Sequence, residues 1–367
     1  MDLTHNDEQI ALRDSAERFL KERYSAAMRA EPGSAWTSFA DLGWLGLPLP
    51  ETHNGAGGSI VDVALLAEAM GRNLVVEPYV SAVLLCGGLI AACGSEGQKG
   101  MWLPHIIDSS TRLTLALEDA GDVLAGMPAT TAEVGRDIHL SGRKTAVLDA
   151  GTAAHGFLVT ATSPGLGTGV YHVARDAPGL AVRAHASVDG RTAATLVLER
   201  VPGERLGGPN DRSGEIVGVV DGAVAALCSD MVGAMQAALD ATVAYAKVRK
   251  QFGQPIGANQ VVKHRLVEMA IRCEEARSSA LLAAIRCSDG SDATTRARAV
   301  SSAKVKIAKA ARAVTEDAVQ LHGAMGVTEE LEVGGYLKRG LAFEAVLGTV
   351  KQHRARYAAA SGTAQAA

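Results

Sequence analysis

The 367-residue sequence predicts an α+β fold in three consecutive parts: a helical N-terminal region, a small antiparallel β domain, and a C-terminal four-helix bundle. Three changes of hydrophobic period carry that prediction. In residues 1–111, Ile10, Leu12, Ala16, Phe19 and Leu20 recur at roughly helical spacing, and "VDVALLAEAMGRNL" repeats the habit. In residues 112–206 the pattern shortens to β-like runs ("RLTLALE", "IHLSGRKTAVL", "HGFLVTAT", "GVYHVAR", "TAATLVLERV") broken by Gly, Pro and Asp turns, as in a barrel or sandwich. In residues 207–367 the helical period returns from about Val217, with Val300, Ala303, Ile307, Ala310, Val314 and Ala318 three or four apart on one stripe. Long Ala-rich helices of this kind pack closely, and the Ala-rich tail after Tyr357 is expected to fray.

Composition narrows the function classes. A chain with 47% hydrophobic and 21% charged residues is an ordinary globular one, and its net charge of −4 gives no electrostatic reason to expect nucleic acid. Cys86, Cys93, Cys228, Cys273 and Cys287 lie far apart, without a C-x-x-C pair or histidines at metal-ligand spacing, so they read as thiols in a reducing compartment and no metal is expected. The start "MDLTHNDEQIALRDSAERF" is charged from its second residue, unlike a signal peptide, and no uncharged apolar run is long enough to span a membrane. A cytoplasmic location is the default expectation.

Two segments of the helical region carry chemistry. In "VRKQFGQPIGANQ" (248–260), Arg249 supplies a planar fork suited to two phosphate oxygens, while Phe252 beside Gly253 offers a ring and a closely approachable backbone. Spacing alone favours a plainer reading, a basic helix end followed by a core Phe. In "QLHGAMGVTEE" (320–330), Gln320, Gly323 and Gly326 offer an amide and an open backbone, or simply a Gly-rich helix stop.

Over essentially its whole length the chain resembles an acyl-CoA dehydrogenase. The resemblance rests on "FADLGWLGLPLPETHNGAGGSIVDVALLAEAMGR" near the N-terminus, and on the two segments just quoted, which are similar to that family's best signatures. It implies FAD as cofactor, with Arg249, Phe252, Gln260, Gln320 and Gly323 reaching across a subunit interface to hold it and Thr349 keeping the family's Gly-Thr position. It implies a tetramer built as a dimer of dimers, an acyl-CoA substrate, and an acceptor resembling electron-transfer flavoprotein. The implied reaction is α,β-dehydrogenation, in which a carboxylate removes the α proton and flavin takes the β hydride.

Two departures from the family pattern bear on that reaction. The usual base immediately before the Gly-Thr pair is replaced by Leu347, leaving Glu344, one helical turn earlier, as a substitute. The second family location for a base falls at about Ala223 and Val224, two residues from Asp221, which otherwise reads as a helix N-cap before "GAVAAL". The family's Thr-Glu-Pro-like loop corresponds to "LALEDAGDVLAG", where Glu118 and Gly121 keep its trace, and its Trp-Ile-Thr-like strand to Ala146, Val147 and Leu148, without an aromatic or hydroxyl partner for flavin. Gly340 replaces the Asp expected after Arg339, removing its expected salt-bridge partner, and His322 reads equally as an adenine contact or as loop packing.

The expectation is therefore a subunit that contributes FAD contacts in trans and lacks its own base, paired with a homologous catalytic subunit. The family includes such α2β2 assemblies in actinobacterial degradation of sterol side chains. A homotetramer with a relocated base at Glu344 or Asp221 is the first alternative, and a structural or regulatory homologue that binds no flavin is the second.

Overall fold

The computed structural model describes residues 5–119, 128–151 and 155–362. Helices α1 (Asp7–Arg23), α2 (Ala26–Ala30), α3 (Trp36–Asp41), α4 (Ile60–Arg72), α5 (Gly88–Cys93) and α6 (Glu96–Ile107) come first. Strands β1 (Leu113–Ala116), β2 (Thr131–Val134), β3 (Ile138–Leu148), β4 (Gly156–Ser163), β5 (Gly167–Ala174), β6 (Leu180–Ala186), β7 (Thr192–Pro202) and β8 (Glu204–Arg205) follow. Helix α7 (Ser213–Val248), a hairpin of β9 (Lys250–Gln251) and β10 (Gln254–Pro255), and helices α8 (Gln260–Ser288), α9 (Ala293–His322), α10 (Val333–Phe343) and α11 (Val350–Ala360) complete the chain. The chain is helical at both ends with an antiparallel-rich sheet between, the α+β order that the sequence predicts.

The chain divides into two compact units, one of Met1–Ser25, Ile60–Val75 and Val224–Ala367, the other of Ala26–Ser59 and Val76–Ala223. In the first, α1 packs on α4, α4 on α8, and α9 on α8, α10 and α11. Helix α1 starts at a capping box in which Asn6 and Gln9 satisfy each other's backbone N–H groups. The predicted α9 stripe is buried throughout, and Asp292 caps that helix through the N–H groups of Thr294 and Thr295. Gly71 on α4 and Gly233 on α7 face backbone directly: a Cβ on either would collide with the carbonyl of Asp230 or of Glu68, so close helix contact requires glycine there. Helix α11 continues past Tyr357 to Ala360, so helical hydrogen bonding carries further into the Ala-rich tail than the frayed expectation.

The second unit is built on one sheet of order β6-β7-β3-β2-β4-β5-β8, with β1 beside β4. Pairing is antiparallel except for β1 and β2 against β4, which are parallel and depart from the all-antiparallel expectation. Strand β4 is buried on nearly every residue because neighbours cover both of its faces, and Phe157, Tyr171 and Leu196 are fully enclosed in the sheet's core. Helix α7 is the one helix among the described residues long and apolar enough to cross a membrane, and 83% of its most apolar window is buried within the fold.

Candidate functional site

The hairpin after α7 is a geometric outlier. Lys250 pairs with Pro255 and Gln251 with Gln254, leaving Phe252 and Gly253 as a two-residue loop with φ of +52° and +84°. Both central residues of a type I′ turn need positive φ, a requirement that favours Asn-Gly and burdens a bulky aromatic. Phe252 accepts that backbone and stands 98% exposed, so it is no core residue, contrary to the expectation from spacing. Ile256 closes the hairpin by donating to the Arg249 carbonyl at 2.8 Å, and Gly257 lets it approach α7, where a Cβ would sit 2.9 Å from the Ala246 oxygen. The Arg249 side chain is exposed and has no hydrogen bond or ion pair among the described residues. Gln260 opens α8 and is exposed as well.

The end of α9 reaches the same end of the unit. The His322 ring stacks on Tyr245 at 4.3 Å between centroids, and the Tyr245 hydroxyl donates to the His322 carbonyl at 3.4 Å. His322 is 5% exposed and its Nδ1 donates to the Ala318 carbonyl at 2.8 Å, which makes it a packing residue of the helix end. Because Tyr245 lies one turn before Arg249, this stack brings the hairpin and the Gln320–Gly323 segment together. Gly323 ends α9 at φ +62°, with nothing within 4 Å of where a Cβ would project, and the Gln320 side chain is exposed beside it. Tyr245 has no counterpart in the sequence reading. Its only signal is an aromatic four residues before Arg249 in an otherwise aliphatic helix.

The turn before α11 is closed. Leu347 is 3% exposed at φ +52°, and its carbonyl accepts from His353 Nε2 at 3.1 Å. Its Nδ1 lies 3.2 Å from the Ser301 hydroxyl, in hydrogen-bond contact. Thr349 caps α11 in a capping box: the Gln352 N–H donates to its hydroxyl at 3.3 Å, while its own N–H donates to Gln352 Oε1 at 2.7 Å. Fully buried Lys304 donates to the carbonyls of Phe343 and Val346 and lies 3.8 Å from the Phe343 ring centroid. Glu344 is held from both sides of its carboxylate by Arg312, at 2.7 and 2.8 Å, and the same pair raises the Arg312 guanidinium above its ordinary value. A general base must aim a lone pair at substrate, and this bidentate pair turns the Glu344 carboxylate toward Arg312 instead.

Asp221 lies in the second unit, fully buried within α7. That helix begins at Ser213, so Asp221 is well inside it and caps nothing, which corrects the N-cap reading. The apolar run that marks the helix extends upstream through Ile216 and Val220, so an Asp before "GAVAAL" is internal to the helix and not its start.

At the expected flavin bed, also in the second unit, the polar groups are internally matched. Lys144 of β3 is fully buried and donates to Asp119 at 2.7 Å, to the Thr160 hydroxyl at 3.0 Å and to the Leu117 carbonyl at 3.1 Å. Burial pushes its ammonium down to about 8 against the opposing pull of Asp119. Thr130 donates its N–H and hydroxyl to the other Asp119 oxygen. The next residue, Thr145, is a hydroxyl the sequence reading passed over, and it donates to the Asp119 carbonyl at 3.2 Å. Ala146 is exposed at φ +50° in a bulge between Lys144 and Val147, and Val147 is buried. Gly121 lies outside the described residues.

Arg339 has a partner after all. Its guanidinium grips Asp230 of α7 through Nε at 2.7 Å and through Nη2, and Nη1 donates to the Val75 carbonyl at 2.9 Å. The counter-charge lies 109 positions away in sequence, where neighbour-based reading could not find it.

Residues 6–110 match the family described as "Acyl-CoA dehydrogenase, N-terminal domain", and residues 222–362 that described as "Acyl-CoA dehydrogenase, C-terminal domain". The chain belongs to the acyl-CoA dehydrogenase family. It is 30% identical to the probable acyl-CoA dehydrogenase YngJ of Bacillus subtilis (strain 168) over 88% of each chain. Among solved structures it is similar to a variant of the Tcur3481-Tcur3483 steroid ACAD (29% identity, TM-score 0.88, covering 98% of this chain and 99% of that one). The ChsE4-ChsE5 complex from Mycobacterium tuberculosis shares the fold at 24% identity and TM-score 0.89, covering 99% of each chain. Acyl-CoA dehydrogenases are FAD-dependent flavoproteins, and the residues fit one part of that cofactor's needs. A free guanidinium, an exposed ring and an open glycine backbone are gathered at one end of the helical unit, as a dinucleotide's phosphates and flat rings require.

Proposed function

We propose that this chain is the non-catalytic subunit of a heteromeric, FAD-dependent acyl-CoA dehydrogenase, an α2β2 assembly with a homologous catalytic subunit. The observation that carries this reading is the buried, left-handed Leu347 in the position of the family's base, together with a separate hairpin whose exposed Arg249 side chain has no partner among the described residues. When bound, FAD supplies the acceptor for the hydride that leaves the β-carbon of an acyl-CoA thioester. Arg249 neutralises pyrophosphate charge on a cofactor seated mainly in the partner, Phe252 covers a flat ring face and excludes water, and Gln320, Gly323 and Gln260 border the same surface. Proton abstraction at the α-carbon belongs to the partner, a reading supported by the Glu344 carboxylate being turned toward Arg312 and by the burial of Asp221.

A steroid-type acyl-CoA is the substrate proposed, supported by the likeness to the Tcur3481-Tcur3483 steroid ACAD. The electron acceptor is of the electron-transfer flavoprotein type, and the assembly is placed in the cytoplasm, in keeping with five free cysteines.

Co-expression with a homologous subunit and measurement of the flavin-to-chain ratio tests the reading. One FAD per two chains, falling sharply in Arg249→Ala, is expected. A yellow homotetramer of this chain alone that oxidises an acyl-CoA overturns it, and flavin retention unaffected by Arg249→Ala points instead to a scaffold that binds no cofactor.

A further inference from the structure

The basic residues of this chain are segregated. Between Ala293 and Thr315 the sequence holds Arg296, Arg298, Lys304, Lys306, Lys309 and Arg312 without an acid, and after Glu344 it holds Lys351, Arg354 and Arg356, again without one. In a chain of net charge −4 this is a strong local imbalance. Two of these cations are used internally, Lys304 on buried carbonyls and Arg312 on Glu344. Others meet at a cavity of about 360 Å³ whose walls include Ser302, Val305, Lys306 and Lys309 from α9 and Arg354 and Tyr357 from α11.

Helical spacing explains the meeting. Ser302, Lys306 and Lys309 are four and three residues apart, which puts them on one face of α9, and Arg354 and Tyr357 are three apart on α11. Lys306 has one exposed acidic neighbour, Glu275 at 3.5 Å, whereas the Lys309 and Arg354 side chains have no hydrogen bond or ion pair among the described residues. Arg298 lies 5.9 Å from the Tyr357 ring centroid, and that ring is 39% exposed. Cations that outnumber the acids around a concavity raise the local concentration of anions, and the Tyr357 ring with Val305 adds a flat apolar wall.

We propose that the α9–α11 groove binds a nucleoside-phosphate-like ligand, its phosphate on Lys306, Lys309 and Arg354 and its base against Tyr357. The volume suits a mononucleotide better than a protein segment, since ligand pockets begin at roughly 300 Å³. This chemistry can come from a free nucleotide or from the nucleotide end of a larger cofactor or thioester. The site does not depend on the proposed role of Arg249, because none of its residues belongs to the hairpin or the α9 end.

The test is calorimetric titration of the flavin-loaded complex with AMP, inorganic phosphate and adenosine at low ionic strength, with flavin content followed by absorbance. AMP is expected to bind about 10-fold or more tightly than phosphate, and adenosine not measurably, because charge and ring act together. The Lys309→Glu/Arg354→Glu variant is expected to lose AMP binding by at least about 10-fold, and Tyr357→Ala to reduce AMP to the level of phosphate. Both leave flavin content unchanged, which separates failure here from failure of the flavin reading. Arg183→Glu, an exposed cation on β6, serves as the charge control. A CoA thioester that competes with AMP assigns the groove to the substrate's nucleotide end; AMP binding without such competition assigns it to a free nucleotide. Equal AMP affinity in the double variant and the control, absence of AMP binding, or a polyglutamate peptide binding more tightly than AMP and indifferently to Tyr357→Ala, each overturns the proposal.

Discussion

The hairpin after α7 and the segments at Leu347 and Lys144 are made from similar residue types and end in opposite states. At the hairpin, the Arg249 side chain has no partner among the described residues and Phe252 stands almost fully in solvent on a left-handed backbone. At the other two places a cation, a carboxylate and a hydroxyl are engaged within the chain: Lys144 by Asp119 and Thr160, Glu344 by Arg312, Thr349 by the α11 cap. Exposed apolar area and unpaired charge are tolerated when something outside the chain covers them, and buried charge only when it is matched within. On the reading proposed above, the difference separates residues kept for a partner from residues turned to holding the subunit together.

The sharpest way to break that contrast is Asp119→Ala. It strips a fully buried ammonium of its counter-charge, and removing one member of a buried pair costs about 3–5 kcal/mol. Denaturant unfolding should register that loss, whereas Arg249→Ala, on an exposed side chain without partners, should stay within about 0.5 kcal/mol of the parent. The double variant Asp119→Ala/Lys144→Met should recover much of the loss, since the orphaned charge is gone. A cost below that of Arg249→Ala would mean that Lys144 is not held as described.

Glu77 gives a smaller effect with a definite pH signature. Burial pushes its carboxyl up to about 7, against the N–H groups of Ala35 and Gly33 and the charge of Arg112, with Asp149 adding to the upward push. The folded state thus keeps a proton that the unfolded chain releases near 4.5, so between those values folding binds protons and stability falls as pH rises. Glu77→Gln removes the titration. Relative to the parent it should gain about 1–3 kcal/mol on going from acidic conditions to pH above 7, read from thermal unfolding at the two extremes. A parallel pH dependence in parent and variant would remove Glu77 as the cause.

Much of this was legible in the sequence because it is periodic or contiguous. The α9 stripe from Val300 to Ala318, the strand runs of β3, β4, β5 and β7, and the Arg249 and Gln320 signatures each sit in one short stretch. Strands β2 and β6 escaped because "TAEV" and "LAVRAHA" are largely exposed and carry little apolar alternation. The Arg339–Asp230 grip, the Tyr245–His322 stack and the Lys144–Asp119 pair escaped for another reason: each joins residues 25 to 109 positions apart, and no local pattern marks a partner at that distance. Spacing alone favours a core Phe252 because it records apolarity, whereas its exposure depends on a two-residue turn whose backbone only the structure reveals.

The smallest effect is the most discriminating, because it has opposite signs in two measurements. Phe252 occupies a turn position at φ +52° where Asn is preferred, and the following Gly253 already supplies the other half of an Asn-Gly pair. Phe252→Asn should relieve backbone strain and remove an exposed ring without opening a cavity, so the isolated chain should gain about 0.5–1 kcal/mol in denaturant unfolding. In the co-expressed complex the same change should lower flavin content, since burial of a Phe side chain is worth about 1.5–3 kcal/mol wherever a partner covers it. Gain in the chain and loss in the complex would identify Phe252 as a residue held in an unfavourable state for another subunit's benefit. Loss of stability in the isolated chain would instead place the ring's contacts within its own fold.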